Sequence, residues 1–257
     1  MIYLYYFQYN FLSHENAILE KNMDILPKSP LFNFFGDAQR CPVGPKAPEF
    51  SLFCEKFFRS FGLSGLILLH QTHGIQGLFV SKDEEVKGAH IFEQDGDFIV
   101  SNVRNIAIGV LTADCLPIIF YDPEKQVVAV AHAGWRGAVA GVGLQALAMM
   151  QQKMGTEIEN VHVQFGPAAH RCCYQIKEDF LVNLAPYAWW QECVEERKGV
   201  LYFDLILFNR RLLESIGIIP ENIDQSSCIC TICNSNFHSF RRDGDYAGRQ
   251  ITAVWLG

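Results

Sequence analysis

The amino-acid sequence predicts one α/β domain in which mixed β-sheet layers are flanked by helices. Short apolar runs rich in Val and Ile recur along the chain and are bounded by turn residues, as buried strands are. Helix-like segments closed by glycine fall between those runs, which favours an α/β arrangement. Two of the runs are joined by the tight turn Asp122-Pro123-Glu124-Lys125, so part of the sheet is an antiparallel hairpin and the whole is mixed.

Taken in order, Leu63 to Gly74 (LSGLILLHQTHG) reads as a buried strand that ends in polar residues and glycine. Pro-rich punctuation from Pro27 to Pro48 marks an irregular lead into Phe50 to Phe61. Acidic turn residues open the segment Asp95 to Val100, which continues as a short apolar run. Strands are predicted at Ile106–Leu111, Pro117–Tyr121 and Val127–Ala133. A helix from about Gly137 to Lys153 follows, stopped by Gly155, with Gly141 and Gly143 inside it as packing residues. Strands near Val161–Phe165 and Leu201–Phe203 precede a helix from Leu205 to Ile216, which Gly217 and Pro220 end.

Composition narrows the function. Against 21 Lys and Arg stand 28 Asp and Glu, a formal charge of −7, which makes a poor partner for nucleic acid because phosphate neutralisation needs basic surface. With 257 residues, 49% of them hydrophobic, the chain has material for a large core and is not a disordered polymer. No apolar stretch reaches the ~18 residues a membrane helix requires. Residues 1–30 read as a short amphipathic or poorly ordered lead-in to a catalytic domain over 31–257. They lack a basic n-region and a cleavage pattern, and Met23 offers an alternative start. These features, with nine cysteines and no export signal, predict reduced thiols and a cytoplasmic location.

Polar residues collect where the apolar runs end. His73 lies in QTHG, Cys115 in TADC, and His132 closes a strand in AHAGWRG. Neighbouring strand ends in an α/β sheet form the usual ligand crevice. Two imidazoles and a thiolate make a three-ligand zinc site with a fourth position open to water or substrate. The same residues also permit Cys115 as a nucleophile with a histidine base. Arg241, Arg242 and Arg249, in a turn-like C-terminal segment, are candidates for holding phosphate by bidentate hydrogen bonds. Arg136 is another, at a predicted helix N-terminus. Asp114, beside Cys115, is a candidate for proton transfer. The run Cys228-x-Cys230-x-x-Cys233 has no second pair at finger-like spacing, so ordinary thiols are its preferred reading. No P-loop, HExxH or zinc-deaminase signature is present, and no His-x-His pair offers material for a multicopper cluster.

Six ordered motifs carry a further signal: QTHG, DGDFIVSN, TADCLPIIFYDP, AHAGWRG, GPAAHRCCYQI and CTICNSNFHSFRRDG with AGRQ. From about Gly62 to Leu256, and more weakly from Phe34-Phe35-Gly36, the chain resembles the YfiH or laccase-domain family. That family was once labelled multicopper polyphenol oxidases and is now mostly described as purine nucleoside phosphorylases. The resemblance implies a single domain layered α/β/β/α, with zinc rather than copper on His73, Cys115 and His132. It implies phosphorolysis of adenosine, inosine, guanosine and methylthioadenosine, and deamination of adenosine. The expected partners are purine nucleosides and phosphate, with no nucleic acid or membrane, in a monomer or homodimer. Alternatives are a cytosolic amidase editing UDP-muramyl precursors of peptidoglycan, a copper polyphenol oxidase, and a non-catalytic binding protein. One departure stands out: the family usually reads GPAIGxxxYEV where this chain has His170, Arg171 and Gln175. His170 and Arg171 are therefore expected to alter the pocket wall.

Overall fold

A computed structural model of the chain describes residues 31–38, 48–81 and 88–257; the lead-in expected over residues 1–30 lies outside them. The first half runs β1 (Leu31–Phe35), α1 (Pro48–Phe61), β2 (Gly65–His70), β3 (Gly77–Val80), β4 (Gly88–Asp95) and β5 (Phe98–Ser101). Then come β6 (Ile106–Thr112), β7 (Leu116–Asp122), β8 (Val127–Ala133), α2 (Trp135–Ala140) and α3 (Val142–Met154). The remainder is β9 (His162–Phe165), β10 (Gln175–Ile176), β11 (Val194–Arg197) and β12 (Val200–Phe203). It closes with α4 (Leu205–Glu214), β13 (Ile223–Asp224), α5 (Phe240–Asp243) and β14 (Gln250–Leu256).

Two sheets carry the fold. One has the order β1-β14-β6-β2-β4, the other β13-β9-β7-β8-β5-β3, and β10-β12-β11 form a small separate sheet. Both large sheets are mixed, because β2 pairs parallel to β4 and β6, β3 to β5, and β9 to β13, while the other pairs are antiparallel. The β7–β8 hairpin turns where expected: Asp122 Oδ1 accepts the backbone N–H groups of Glu124 and Lys125 at 2.9 and 3.1 Å.

The layering follows from the period of two along each strand. In β7, Ile118 and Phe120 face the helices α2 to α4, whereas Ile119 and Tyr121 face the other sheet. In β14, Val254 and Leu256 fill the space between the sheets, and Ile251, Ala253 and Trp255 pack beneath α1 with Phe50 and Phe57. Both faces of each sheet are thus covered, which is why these strands read as continuous apolar runs rather than alternating ones. The result is α/β/β/α. Truncation of a side chain such as fully buried Phe120 to alanine would cost about 3–5 kcal/mol by lost transfer energy and the cavity left.

Three sequence expectations are corrected. The single helix from Gly137 to Lys153 is two, broken at Gly141, whose φ of 86° caps α2 in a left-handed conformation that costs glycine little. Gly143 does pack, since a Cβ there would stand 3.4 Å from Phe120 Cζ. The Pro-rich lead gives way at Pro48 to a regular helix, α1, in which Pro occupies the tolerated first turn. The helix predicted to Ile216 ends at Glu214.

Candidate metal centre and its cavity

The site straddles both sheets. His73 follows β2 in the first, Cys115 lies in the crossover from β6 to β7, and His132 sits in β8 of the second. The hairpin register pairs Leu116 with Ala133 and Pro117 with His132, which brings Cys115 beside Gly134 despite the intervening chain. The Gln71 side chain fastens the QTHG loop: its amide donates to the Leu111 carbonyl at 2.7 Å and its oxygen accepts the Leu111 N–H at 2.8 Å. His73 and Asp114 both adopt positive φ, 61° and 86°, in the two loops that converge here. Such backbone is unfavourable for non-glycine residues and persists only where surrounding contacts over-determine it.

One ligand atom each from His73, Cys115 and His132 lie within 4.8 Å of one another, and Cys115 Sγ is 3.8 Å from His73 Nε2. Gly134 makes room for this approach. A Cβ there would stand 2.7 Å from His73 Cδ2 and 3.0 Å from Cys115 Sγ.

Asp97, which the sequence reading did not single out, organises the centre. Its side chain is fully buried, and Oδ1 takes the Nδ1 of His132 at 2.8 Å and the backbone N–H of His73 at 2.9 Å. Oδ2 accepts from the Gly74 N–H at 2.7 Å and from the Thr72 N–H and hydroxyl, each at 3.1 Å. With Nδ1 directed to a carboxylate, Nε2 of His132 is left as the metal-facing nitrogen. Its sequence signal was the acidic pair in DGDFIVSN, at the start of a strand that pairs with the His132 strand.

The electrostatics of the trio suit a cation-binding thiolate. Burial alone would push the Cys115 thiol up, but the charge on His132, with hydrogen bonds from His132 and His73, brings it down to about 6. Burial likewise opposes the His132 imidazolium, which the Cys115 thiolate and Asp97 nevertheless raise to about 9. Burial disfavours ionised Asp97 too, yet the hydrogen bonds from His132 and from the Gly74 and Thr72 backbone hold it below the usual carboxylate value. A divalent ion there would take over from the His132 imidazolium the positive charge that holds Cys115 as a thiolate. The donor set, two imidazoles and a soft thiolate with a carboxylate behind one imidazole, fits zinc with an open position.

The trio opens into a cavity of about 490 Å³ that Leu69, Leu111, Ala113, Phe240 and Arg249 also line. Beside it, Trp135, Tyr174, Phe180 and Arg241 line a second hollow of about 430 Å³. The Arg241 guanidinium lies 5.2 Å from the Tyr174 ring centre. Burial and the nearby Cys115 thiolate push the Tyr174 hydroxyl above its ordinary range, with Arg241 opposing.

The other expected residues are more dispersed. Arg242 is committed to structure, donating to the carbonyls of Thr231 at 2.9 Å and Phe237 at 2.8 Å and pairing with Asp243. Arg249 donates to the carbonyls of Ala247 and Gly248, both at 2.7 Å, while lining the metal cavity. Arg136 is exposed on α2, its guanidinium 4.4 Å from the Trp135 ring centre. Both carboxylate oxygens of Asp114 are engaged, Oδ1 by the Thr231 hydroxyl at 2.7 Å and Oδ2 by the Arg241 N–H at 2.6 Å. His170 and Arg171 do not form the pocket wall expected of them. They line a separate cavity of about 670 Å³, where Arg171 pairs with Glu195 at 3.2 Å and His170 Nε2 lies 3.3 Å from Cys228 Sγ. The turn after Gly166-Pro167 carries them outward while Ala168 and Ala169 stay buried.

Among the described residues, no helix is long and apolar enough to cross a membrane. Residues 53–257 match the family described as multi-copper polyphenol oxidoreductase laccase. The chain is 37% identical over 165 residues to the mouse protein named purine nucleoside phosphorylase LACC1; the match covers 62% of this chain and 38% of that one, well under half its length. It is 30% identical over 200 residues to Bacillus subtilis purine nucleoside phosphorylase YlmD, covering 76% of this chain and 72% of that one. A protein of an unknown prokaryotic organism named adenosine deaminase RL5 is 29% identical over 202 residues, 75% and 76% of the two chains. The crystal structure of Bacillus licheniformis YfiH shares the fold, with a TM-score of 0.75 at 23% identity over 88% of this chain and 93% of that one.

Proposed function

The chain belongs to the multi-copper polyphenol oxidoreductase laccase family, and within it we propose that it acts as a zinc-dependent purine nucleoside phosphorylase. The substrates would be adenosine, inosine, guanosine or methylthioadenosine with phosphate, and the products the free base and a ribose 1-phosphate (5-methylthioribose 1-phosphate from methylthioadenosine). The observation that carries this reading is the convergence of His73, Cys115 and His132 on one cavity that Arg249 also lines. These three residues would hold the zinc, which when bound would supply Lewis-acid activation of a phosphate or water oxygen.

The chain's own groups then divide the work. Asp97 holds His132 in one tautomer and fixes the His73 backbone, so the ligands are preorganised. Arg249, with Arg241 from the neighbouring hollow, offsets the charge of phosphate and aims it at the ribose C1′, where the C–O bond forms as the bond to the base breaks. The apolar wall of Leu69, Leu111 and Phe240 receives a flat base. Asp114 serves as a positioning residue, tying Arg241 to Thr231, and Arg242 and Arg136 act at one remove from the reactants.

Deamination of adenosine belongs to the same proposal, supported by the relative named adenosine deaminase. Here water replaces phosphate and attacks C6 of the purine, releasing ammonia. Copper oxidase chemistry finds little support, because a multicopper cluster needs more imidazoles than the two that converge here.

The test follows product formation from adenosine with and without phosphate, on protein whose zinc content is measured in the same sample. Phosphate-dependent release of adenine and ribose 1-phosphate is expected, with some inosine. Zinc-loaded protein that turns over no nucleoside, or releases adenine equally without phosphate, would overturn it.

A further inference from the structure

Four thiols outside the His73 cavity also converge. Cys172 and Cys173 follow one another in the loop after β9, and Cys230 and Cys233 lie in the loop before α5. Their sulfurs all lie within 4.8 Å of one another, with Cys172 and Cys233 3.9 Å apart. A disulfide needs about 2.05 Å. Four thiolates around one zinc at ~2.3 Å stand about 3.8 Å apart along each tetrahedral edge. The spacing is that of ligands around a shared centre. The second pair that the sequence lacks at finger-like spacing comes from a distant loop, and Cys228 drops out toward His170.

The backbone holds this arrangement in register. Ala168 donates to Ile229 at 3.0 Å, and Thr231 donates back to Ala168 at 2.9 Å, a single β-bridge between the two loops. The Cys172-Cys173 turn closes with the Tyr174 N–H on the His170 carbonyl at 2.8 Å; the Cys230–Cys233 turn closes with the Asn234 N–H on the Cys230 carbonyl at 3.2 Å. Ordinary core packing does not account for the group, because Cys172 and Cys233 are exposed.

We propose that Cys172, Cys173, Cys230 and Cys233 bind a second zinc ion, in a closed structural site separate from the His73 centre. All four positions are filled by protein, which leaves no place for substrate. The ion would clamp two loops that flank the nucleoside cavity. One loop carries Tyr174, beside the Arg241 guanidinium; the other carries Thr231, whose hydroxyl holds Asp114. The clamp thus sets the position of Arg241 without touching substrate.

The experiment counts zinc in the purified chain under reducing conditions and maps alkylation of each cysteine by mass spectrometry. Two zinc ions per chain are expected, falling to one in His132→Ala and to one in the Cys230→Ser/Cys233→Ser double variant. In the unaltered chain, Cys172 and Cys233 should resist iodoacetamide in spite of their exposure and become reactive once a chelator strips the metal. This second readout needs no variant to fold. One zinc in the unaltered chain and none in His132→Ala would overturn the proposal. So would free alkylation of Cys172 and Cys233 that a chelator leaves unchanged, or an intact Cys172–Cys233 disulfide.

Discussion

His132 Nδ1 lies 2.8 Å from Asp97 Oδ1, and the two side chains are 4% and 0% exposed. A pair this deeply buried is costly to break, because removing one partner strands the other without solvent. The same carboxylate receives the backbone of His73 and Gly74, so it ties the β2 loop to β8. Asp97 therefore joins the two sheets at the point where the ligands meet.

Asp97→Asn should weaken zinc binding about 10- to 100-fold, the usual effect of losing a carboxylate behind a ligating histidine. Competition with a chromogenic chelator measures it. An unchanged zinc affinity would remove Asp97 from the design.

The metal-free chain should lose stability on both sides of a window. Asp97 has a folded value below the unfolded 3.8, so its contribution is present above about pH 4 and fades as pH falls through the lower folded value. His132 has a folded value of about 9 against 6.5, raised first by the Cys115 thiolate, whose own value falls from 9 to about 6. The contribution of this ion pair is therefore present between about pH 6 and 9, lost as pH rises through 9 and lost again as pH falls through 6. Tm measured against pH with chelator present should peak between these limits, and Asp97→Asn should flatten the acid side.

Cys115 should be the fastest thiol in the metal-free chain. With its value near 6, alkylation should rise with pH through a midpoint near 6, while buried Cys193 and half-buried Cys228, pushed up to about 12, stay slow. His132→Ala removes the main charge that lowers it, so the midpoint should move up by at least one pH unit. Site-resolved mass spectrometry gives both midpoints.

Gly134→Ala should empty the metal site of a chain that still folds. The new Cβ meets His73 and Cys115 at 2.7 and 3.0 Å, too close for either ligand to stay in place. Zinc content should drop at least tenfold with an unchanged far-ultraviolet circular dichroism spectrum.

Thr231→Val should separate positioning from metal binding. It removes the hydroxyl that holds Asp114 and leaves a half-buried carboxylate oxygen short of a partner. On the proposed function, KM for phosphate should rise several-fold with zinc occupancy intact, because Arg241 loses its anchor. A KM that does not move would place Arg241 outside phosphate recognition.

Local signals in the sequence located β2, β6, β7, β8, β9 and β12, the stop of α3 at Gly155, the start of α4 and the α/β class, because buried apolar runs and glycine stops are local; β1, β14 and α1 were not legible there. Motif order also pointed to His73, Cys115 and His132 together. The non-local features came from tertiary contacts. Gly141 breaks a helix whose composition reads as continuous, since a positive φ is invisible in the letters. Asp97 gains its role from β5 pairing with β8, and Asp114 from a threonine and a backbone amide more than a hundred residues away. His170 and Arg171 leave the metal cavity because their loop turns outward. Cys172 and Cys173 meet Cys230 and Cys233 only because a bridge at Ala168 sets two distant loops in register. Spacing along a chain fixes what a helix or hairpin can bring together; the sheet order fixes everything else.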